Sequence, residues 1–289
     1  MKQILVISGK GGTGKTVITA SFANLAERAV MADCDVDAAD LHLLLAPETR
    51  ERYEFRSGKT AVINRSKCTR CGTCVVKCRF DAVSEDDFTV DPVACEGCGV
   101  CFHVCPAGAV AMKENLSGEW FVSDTKRGPF VHAKLGVAEE NSGKLVTLVR
   151  QKAKEIAEAE GLDTVIIDGS PGIGCPVIAS ISGVDAAVIV TEPTISGLHD
   201  MTRVMELSEH FGVTPHVVVN KYDLNANISD EIENFCKTRN KSFAGRVSFD
   251  PEITAALIKG RSIIEHSDGG ASPEIRKVWE YIRKKAGIK

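Results

Sequence analysis

The chain has no long hydrophobic run. No stretch of its 289 residues approaches the ~18 consecutive apolar positions of a membrane-crossing helix. It opens on "MKQILVIS", an apolar run too short for a secretion signal, which leads straight into a glycine-rich loop. Positive charge is not in excess either. A net charge of −4 gives no electrostatic case for nucleic acid, which calls for a basic face, though it leaves room for a local basic patch. The expectation is a cytoplasmic protein with no nucleic-acid partner and no membrane segment.

Hydrophobic residues at 44% and charged residues at 26% suffice to bury a sizeable core, in one large domain or two ordinary ones. Eleven cysteines would suggest disulfides in a secreted chain. Eight of them, however, fall in two tight, regularly spaced groups. Without a secretion signal, that pattern reads as metal ligation in a reducing compartment.

Four segments read as buried parallel strands: "QILVIS" (3–8), "TVIIDG" (164–169), "AAVIVT" (186–191) and "HVVVN" (216–220). Each is short, apolar and β-branched, and each runs into loop or helix-starting residues. A shorter strand, "AVMAD" (29–33), follows the first helix. Helices are expected over 15–28, 144–160, 198–211, 229–239 and 273–286. This alternation implies an α/β fold with a doubly wound, mostly parallel sheet, whose ligands collect at the carboxyl ends of its strands. Between 57 and 113 the rhythm stops, and a small α+β domain is expected there, inserted into a larger one built from 1–56 and 114–289.

"GKGGTGKT" (9–16) follows a strand and opens a helix, the context in which a phosphate-binding loop works. Gly9, Gly11, Gly12 and Gly14 let backbone N–H groups of the Lys10–Val17 segment, Thr13 included, converge on phosphate oxygens. The helix N-terminus adds partial positive charge. Lys15 would neutralise the β and γ phosphates and Thr16 would place its hydroxyl on Mg²⁺. An ordinary glycine-rich turn is the bland alternative.

A second lysine, Lys10, is superfluous to that chemistry. With it, "KGGTGKT" resembles the deviant phosphate loop of the MinD/ParA superfamily of ATPases, which includes the nitrogenase iron protein. The resemblance implies ATP or ADP as nucleotide, and a homodimer sandwiching it (or a heterodimer with a paralogue). Lys10 would then reach the phosphates of the partner's nucleotide and stabilise charge on the transferring phosphoryl group. "DCDVDAAD" (33–40) resembles the first switch. Asp35 is the best match for the carboxylate that positions water and magnesium, with Asp33, Asp37 and Asp40 as nearby candidates. "IIDGSPGIGCP" (166–176) resembles the second switch, where Asp168 would hold the Mg²⁺ shell and Pro171 and Gly172 would sense the γ-phosphate. "VVVNKYD" (217–223) resembles the base-recognition segment, with Asn220 on the purine and Asp223 less certain.

The inserted segment contains an internal repeat of period 27: "CTRCGTCVVKCRFDAV" from Cys68 and "CEGCGVCFHVCPAGAV" from Cys95. Each repeat is C-x₂-C-x₂-C-x₃-C, the bacterial ferredoxin spacing for [4Fe–4S] clusters. Three thiolates on one tight loop cap three irons, and the fourth cannot fold back to the same cube. Cluster one would therefore use Cys68, Cys71, Cys74 and Cys105, and cluster two Cys95, Cys98, Cys101 and Cys78. Arg79 stands where the second repeat has Pro106. Zinc is the rival metal.

Of the remaining cysteines, Cys34 and Cys236 read as structural. Cys175 lies where the nitrogenase iron protein holds a bridging cluster, but no second cysteine occurs between Cys105 and Cys175, so a small residue packed beside the switch is expected. Over 128–146 the expectation is a strand containing His132, then a loop in which Ser142 caps a helix starting near Lys144, with Asn141 beside it. His199 is a weak candidate for a catalytic base. Ile275, Val278, Trp279 and Ile282 share one face of a C-terminal helix, expected to pack on the core rather than on a membrane.

The whole chain resembles MinD-superfamily ATPases that carry an inserted two-cluster ferredoxin domain. The activity this implies is an ATPase whose cycle gates electron transfer from the clusters to an unidentified redox partner. Two alternatives stand beside it: a maturation factor that delivers a cluster or metal to a client protein, and a spatial-positioning ATPase of the MinD type.

Overall fold

The computed structural model describes residues 1–136 and 142–288. In chain order the elements are β1 (Lys2–Ile7), α1 (Lys15–Leu25), β2 (Ala29–Asp33), α2 (Leu41–Leu45), β3 (Glu48–Ile63), α3 (Thr73–Lys77), α4 (Val100–Val104), β4 (Val110–Thr125) and β5 (Gly128–Leu135). There follow α5 (Ser142–Glu160), β6 (Thr164–Asp168), α6 (Cys175–Ile181), β7 (Ala186–Thr191), α7 (Ile195–His210), β8 (Thr214–Asn220), α8 (Ala226–Thr238), β9 (Ser242–Val247), α9 (Pro251–Ile258), α10 (Ile263–His266) and α11 (Ser272–Ala286). The chain divides into two compact units. One comprises Met1–Tyr53, Trp120–Lys134 and Ser142–Lys289; the other comprises Glu54–Glu119 and the segment beginning at Leu135.

The first unit is built on a sheet ordered β3-β4-β5-β2-β6-β1-β7-β8-β9. From β5 to β9 every neighbouring pair is parallel. β2, β6 and β7 are buried along their whole length because helices cover both faces, which is why they read as uninterrupted apolar runs. Phe22 of α1 packs against Trp279 of α11 in a tilted arrangement with ring centroids 5.0 Å apart. Ile275, Val278 and Ile282 join them in one core with Ile4, Val188 and Val218. The C-terminal helix therefore spends its apolar face on the core, as the core-packing reading expects.

Two long strands depart from the sequence expectation. β3 and β4, 16 residues each, extend on either side of the boundaries placed at 57 and 113. Their residues are exposed on both faces over long stretches, so neither an apolar run nor a period-two alternation marks them. α5 begins at Ser142, which puts that residue inside the helix rather than before it; Asn141 lies outside the described residues. α7 starts at Ile195, where Thr194 caps it by accepting from the Gly197 N–H.

The second unit repeats itself in three dimensions. Gly72 and Gly99, 27 residues apart, both precede a five-residue helix in left-handed conformation, with φ of 75° and 74°. Arg70 and Gly97 form a second left-handed pair (56° and 63°), and Asp81 and Gly108 a third (50° and 57°). The halves are stitched crosswise: the Asn64 N–H donates to the Ala109 carbonyl at 2.7 Å, and the Asp91 N–H to the Ala82 carbonyl at 2.8 Å. The matching Ala-Val pairs 82-83 and 109-110 are buried beneath.

Candidate functional site

The groups of the candidate nucleotide site emerge at the carboxyl ends of parallel strands, where such sheets collect ligands. The glycine-rich loop follows β1, Asp33 ends β2, Asp168 ends β6, Glu192 follows β7, and Asn220 ends β8. Sheet register aligns Asp33 directly with Asp168.

Lys15 lies at the centre, almost wholly buried. Its Nζ donates to Asp168 at 3.0 Å and to Asp35 at 3.1 Å. The other Asp168 oxygen accepts from the Thr16 hydroxyl at 2.8 Å, and Thr19 donates to Asp168 at 2.9 Å. Burial acts to lower the Lys15 pKa, but the carboxylates of Asp168 and Asp35 outweigh it and hold the ammonium well above its usual range. Asp33 and Asp35 are both raised, by burial first, with the negative charge of Asp168 adding to it. Three buried acids thus face one buried cation, an imbalance that a divalent cation on the Asp168 and Thr16 oxygens would relieve.

The loop itself is open where phosphate would lie. A Cβ added at Gly11 or Gly12 would meet nothing within 4 Å. At Gly14, φ is 89° and a Cβ would fall 2.4 Å from Asn220 Nδ2, so the position admits only glycine. The Thr13 hydroxyl is buried with no hydrogen-bond partner, an orphaned donor on a concave, amide-rich loop at a helix N-terminus. These features fit a Mg²⁺-bound polyphosphate. Val17 follows the loop on α1, where its carbonyl accepts from the Ser21 hydroxyl at 2.7 Å. Gly9 lies against Asp200, with no room for a side chain.

The four switch-one aspartates separate clearly. Asp35 faces Lys15. Asp33 is fully buried and accepts from the backbone N–H groups of Asp35 and Leu41, which folds the loop back on itself. Asp37 and Asp40 are exposed. Pro171 and Gly172 lie in the turn after β6, and the Gly172 N–H donates to the Ser8 carbonyl at 2.9 Å. Asn220 is buried beside the loop and donates to the Thr13 carbonyl at 2.8 Å. Asp223 accepts from the Phe249 N–H at 2.6 Å.

Lys10 is half-buried and pairs with Glu192 at 3.4 Å, which also holds Lys221 at 2.6 Å. Glu192 and Thr19 escaped the sequence reading. Their partners lie 182 and 149 positions away, and only the sheet brings them together. His199 is exposed beside Asp200, far from the role of a catalytic base in this arrangement. His132 is stacked among Phe121, Phe130 and His42 with its Nε2 3.1 Å from the Ser123 hydroxyl, and burial pushes it down to about 4. Cys34 and Cys236 are buried, whereas Cys175 is exposed at the first position of α6 rather than packed beside the switch.

In the second unit, one pocket is lined by Cys68, Cys71, Cys74 and Cys105. Another is lined by Cys78, Cys95, Cys98 and Cys101. All eight thiols are free. Among the described residues, no three His, Cys, Asp or Glu side chains gather as a single-ion site requires. Quartets spread around a pocket suit a polynuclear group instead, and four thiol donors per pocket match the chemistry of an iron–sulfur cluster. Burial raises the equivalent thiols Cys74 and Cys101. Cys68 and Cys105 add to the first shift, and Cys95 and Cys98 to the second. Ligation to iron would remove this repulsion between neighbouring thiolates.

Known proteins resemble this chain in sequence and in fold. The chain is 33% identical over 288 residues to the uncharacterized protein MJ0578 of Methanocaldococcus jannaschii, covering 98% of this chain and 96% of that one. It is 24% identical to the septum site-determining protein MinD of Bacillus subtilis, covering 96% of this chain and 87% of that one. The septum site-determining protein MinD of Pyrococcus horikoshii, solved as a complex with Mg-ADP, shares the fold with a TM-score of 0.61 and 17% identity, covering 99% of this chain and 98% of that one. The model of the CobQ/CobB/MinD/ParA nucleotide binding domain matches residues 4–263, and the chain belongs to that family.

Proposed function

We propose that the protein is an ATP-dependent, dimerising ATPase whose nucleotide cycle gates electron transfer through two [4Fe–4S] clusters to a partner protein. One observation carries this reading: eight free cysteines divide four and four between two pockets, in the crossed pattern of a two-cluster ferredoxin, within a chain of a nucleotide-binding family.

The chain's own residues supply the following steps. Backbone amides of the 9–16 loop and the N-terminus of α1 hold the phosphates. Lys15 exchanges its carboxylate partners for the β and γ phosphates, which frees Asp168 and Thr16 to orient Mg²⁺. Asp35, released from Lys15, orients the attacking water. Asn220, which donates to the Thr13 carbonyl, would hydrogen-bond the purine. Lys10 leaves Glu192 to reach the nucleotide held by a second copy, which makes hydrolysis depend on dimerisation. Cys68, Cys71, Cys74 and Cys105 would hold one cluster and Cys78, Cys95, Cys98 and Cys101 the other. When bound, the clusters supply one-electron carriers whose potential responds to hydrogen bonding and burial.

The test is anaerobic reconstitution, followed by cluster potentials and the rate of electron release with and without ATP. Potentials and rates that ignore nucleotide would remove the coupling.

A second reading is a MinD-type positioning ATPase, favoured by the similarity to septum site-determining proteins along most of the chain. Against it, the apolar face of α11 is already buried in the core. Cosedimentation with lipid vesicles that appears only with ATP would establish it.

A further inference from the structure

The two halves of the cysteine-rich unit share one backbone but differ in charge. Residues 64–83 carry Arg65, Lys67, Arg70, Lys77 and Arg79 against one acid, Asp81. The equivalent residues 91–110 carry Asp91 and Glu96 and no lysine or arginine. Arg65 is paired with Asp87 at 3.6 Å. The side chains of Lys67, Arg70, Lys77 and Arg79 are exposed and have no ion-pair or hydrogen-bond partner among the described residues. Their counterparts 27 positions on are Ala94, Gly97, Val104 and Pro106, all uncharged.

Local structure does not explain these four cations. Arg70 adopts a left-handed φ of 56°, a conformation the second repeat gives to Gly97. A non-glycine residue is disfavoured there, because its Cβ crowds the following carbonyl oxygen. Arg79 replaces the proline that would stiffen the chain after the fourth cysteine. Both choices give up backbone preference and gain surface charge. Val76 and Phe80 lie among the cations in the chain, 81% and 44% exposed, and Phe80 also lines the pocket of Cys78, Cys95, Cys98 and Cys101, so the segment combines apolar contact with positive charge. Cys71, one of the most open thiols of the eight, sits next to Arg70. Its equivalent Cys98 is equally open but has no cation near it in sequence.

We infer that the first-repeat face, built by Lys67, Arg70, Lys77 and Arg79 around Val76 and Phe80, docks a small acidic one-electron carrier protein. The inference rests on the electron-transfer reading above and names the chemistry of the donor that would load the clusters. Charge complementarity supports it: this segment is cationic within a chain whose net charge is −4, so it attracts an anionic protein and steers its approach. The exchange would move one electron from the reduced carrier, which is oxidised, to the cluster that Cys68, Cys71, Cys74 and Cys105 would hold, which is reduced; no bond breaks.

The test uses the full chain with clusters reconstituted anaerobically, and a reduced acidic plant-type ferredoxin as the probe donor. Reduced methyl viologen, a small cation, serves as the comparison donor. The variant Lys67→Ala, Arg70→Gly, Lys77→Val and Arg79→Pro gives the first repeat the residues of the second. At low salt its reduction by the ferredoxin should slow by about tenfold or more, the range that electrostatic steering spans. The steep loss of rate with added salt should vanish with it, while viologen reduces both proteins alike. Arg70→Gly alone, which relaxes the backbone, should produce a smaller slowing in the same direction. Equal ferredoxin rates in the wild type and both variants would overturn the docking site. So would binding of a labelled DNA duplex that depends on the same four cations. A wild type that viologen itself cannot reduce would bring down the electron-transfer reading first, and docking with it.

Discussion

The nucleotide-binding unit excludes Ile4, Phe22, Phe130, Leu145 and Ile166 from water almost completely. From Glu54 to Glu119, the buried apolar side chains among the described residues are Phe55, Ala61, Cys74, Ala82, Val83, Ala109 and Val110. The first unit is held by burial of large aliphatic and aromatic groups, each contributing about 1.5–3 kcal/mol. The second has no comparable core. A unit of that size without one needs a staple, and eight thiols around two pockets provide the means. The stabilities of the two units therefore answer to different conditions.

The largest expected effect breaks that comparison if it fails. Stripping iron from the reconstituted protein with a chelator under oxidising conditions should abolish hydrogen-exchange protection across 64–110. Protection in β1, β6 and β7 should be left intact. Protected amides in the iron-free second unit would show that its fold does not depend on ligation.

The next effect belongs to the first unit alone. Lys10→Ala should lower ATP hydrolysis by roughly 10³-fold or more, the scale of a lost cationic finger, and abolish ATP-induced dimers on size exclusion. ATP binding measured by calorimetry should persist, because Lys15 and the loop amides are untouched.

A smaller, paired test separates the switch-one acids. Asp35→Asn should reduce kcat by about 10²-fold as the water loses its orienting carboxylate. Asp33→Asn should act on stability instead. One of its two accepted backbone hydrogen bonds is lost, worth about 1 kcal/mol by urea unfolding. Reversed outcomes would exchange the two assignments.

A further expected effect is a pH dependence of the first unit. His132 and His216 are both pushed down to about 4 from 6.5, chiefly by burial. The unfolded chain therefore binds protons between these values that the folded unit refuses. Stability is complete above pH 6.5 and falls as pH drops toward 4. The urea midpoint should fall between pH 7.5 and pH 5, and His132→Phe should flatten part of that slope.

Much of this was legible from local pattern. "AVMAD" and "AAVIVT" coincide with β2 and β7 because strands buried on both faces announce themselves as apolar runs. The two pockets are lined by the same crossed quartets of cysteines that the repeat suggests. β3 and β4 were not legible, since strands wet on both faces carry no periodic signal. Cys175 was misplaced because a lone cysteine says nothing about which way it faces.

The sequence alone determined the chemistry that depends on a few neighbouring residues: the glycine geometry of the phosphate loop, the repeat of period 27, and the charge that distinguishes its halves. Tertiary structure decided which of four aspartates meets Lys15, and that Glu192 holds Lys10. Backbone conformation is settled by adjacent residues. Contacts across 20 or 182 positions depend on how strands register in a sheet and how the loops beyond them fold back, which no local window contains.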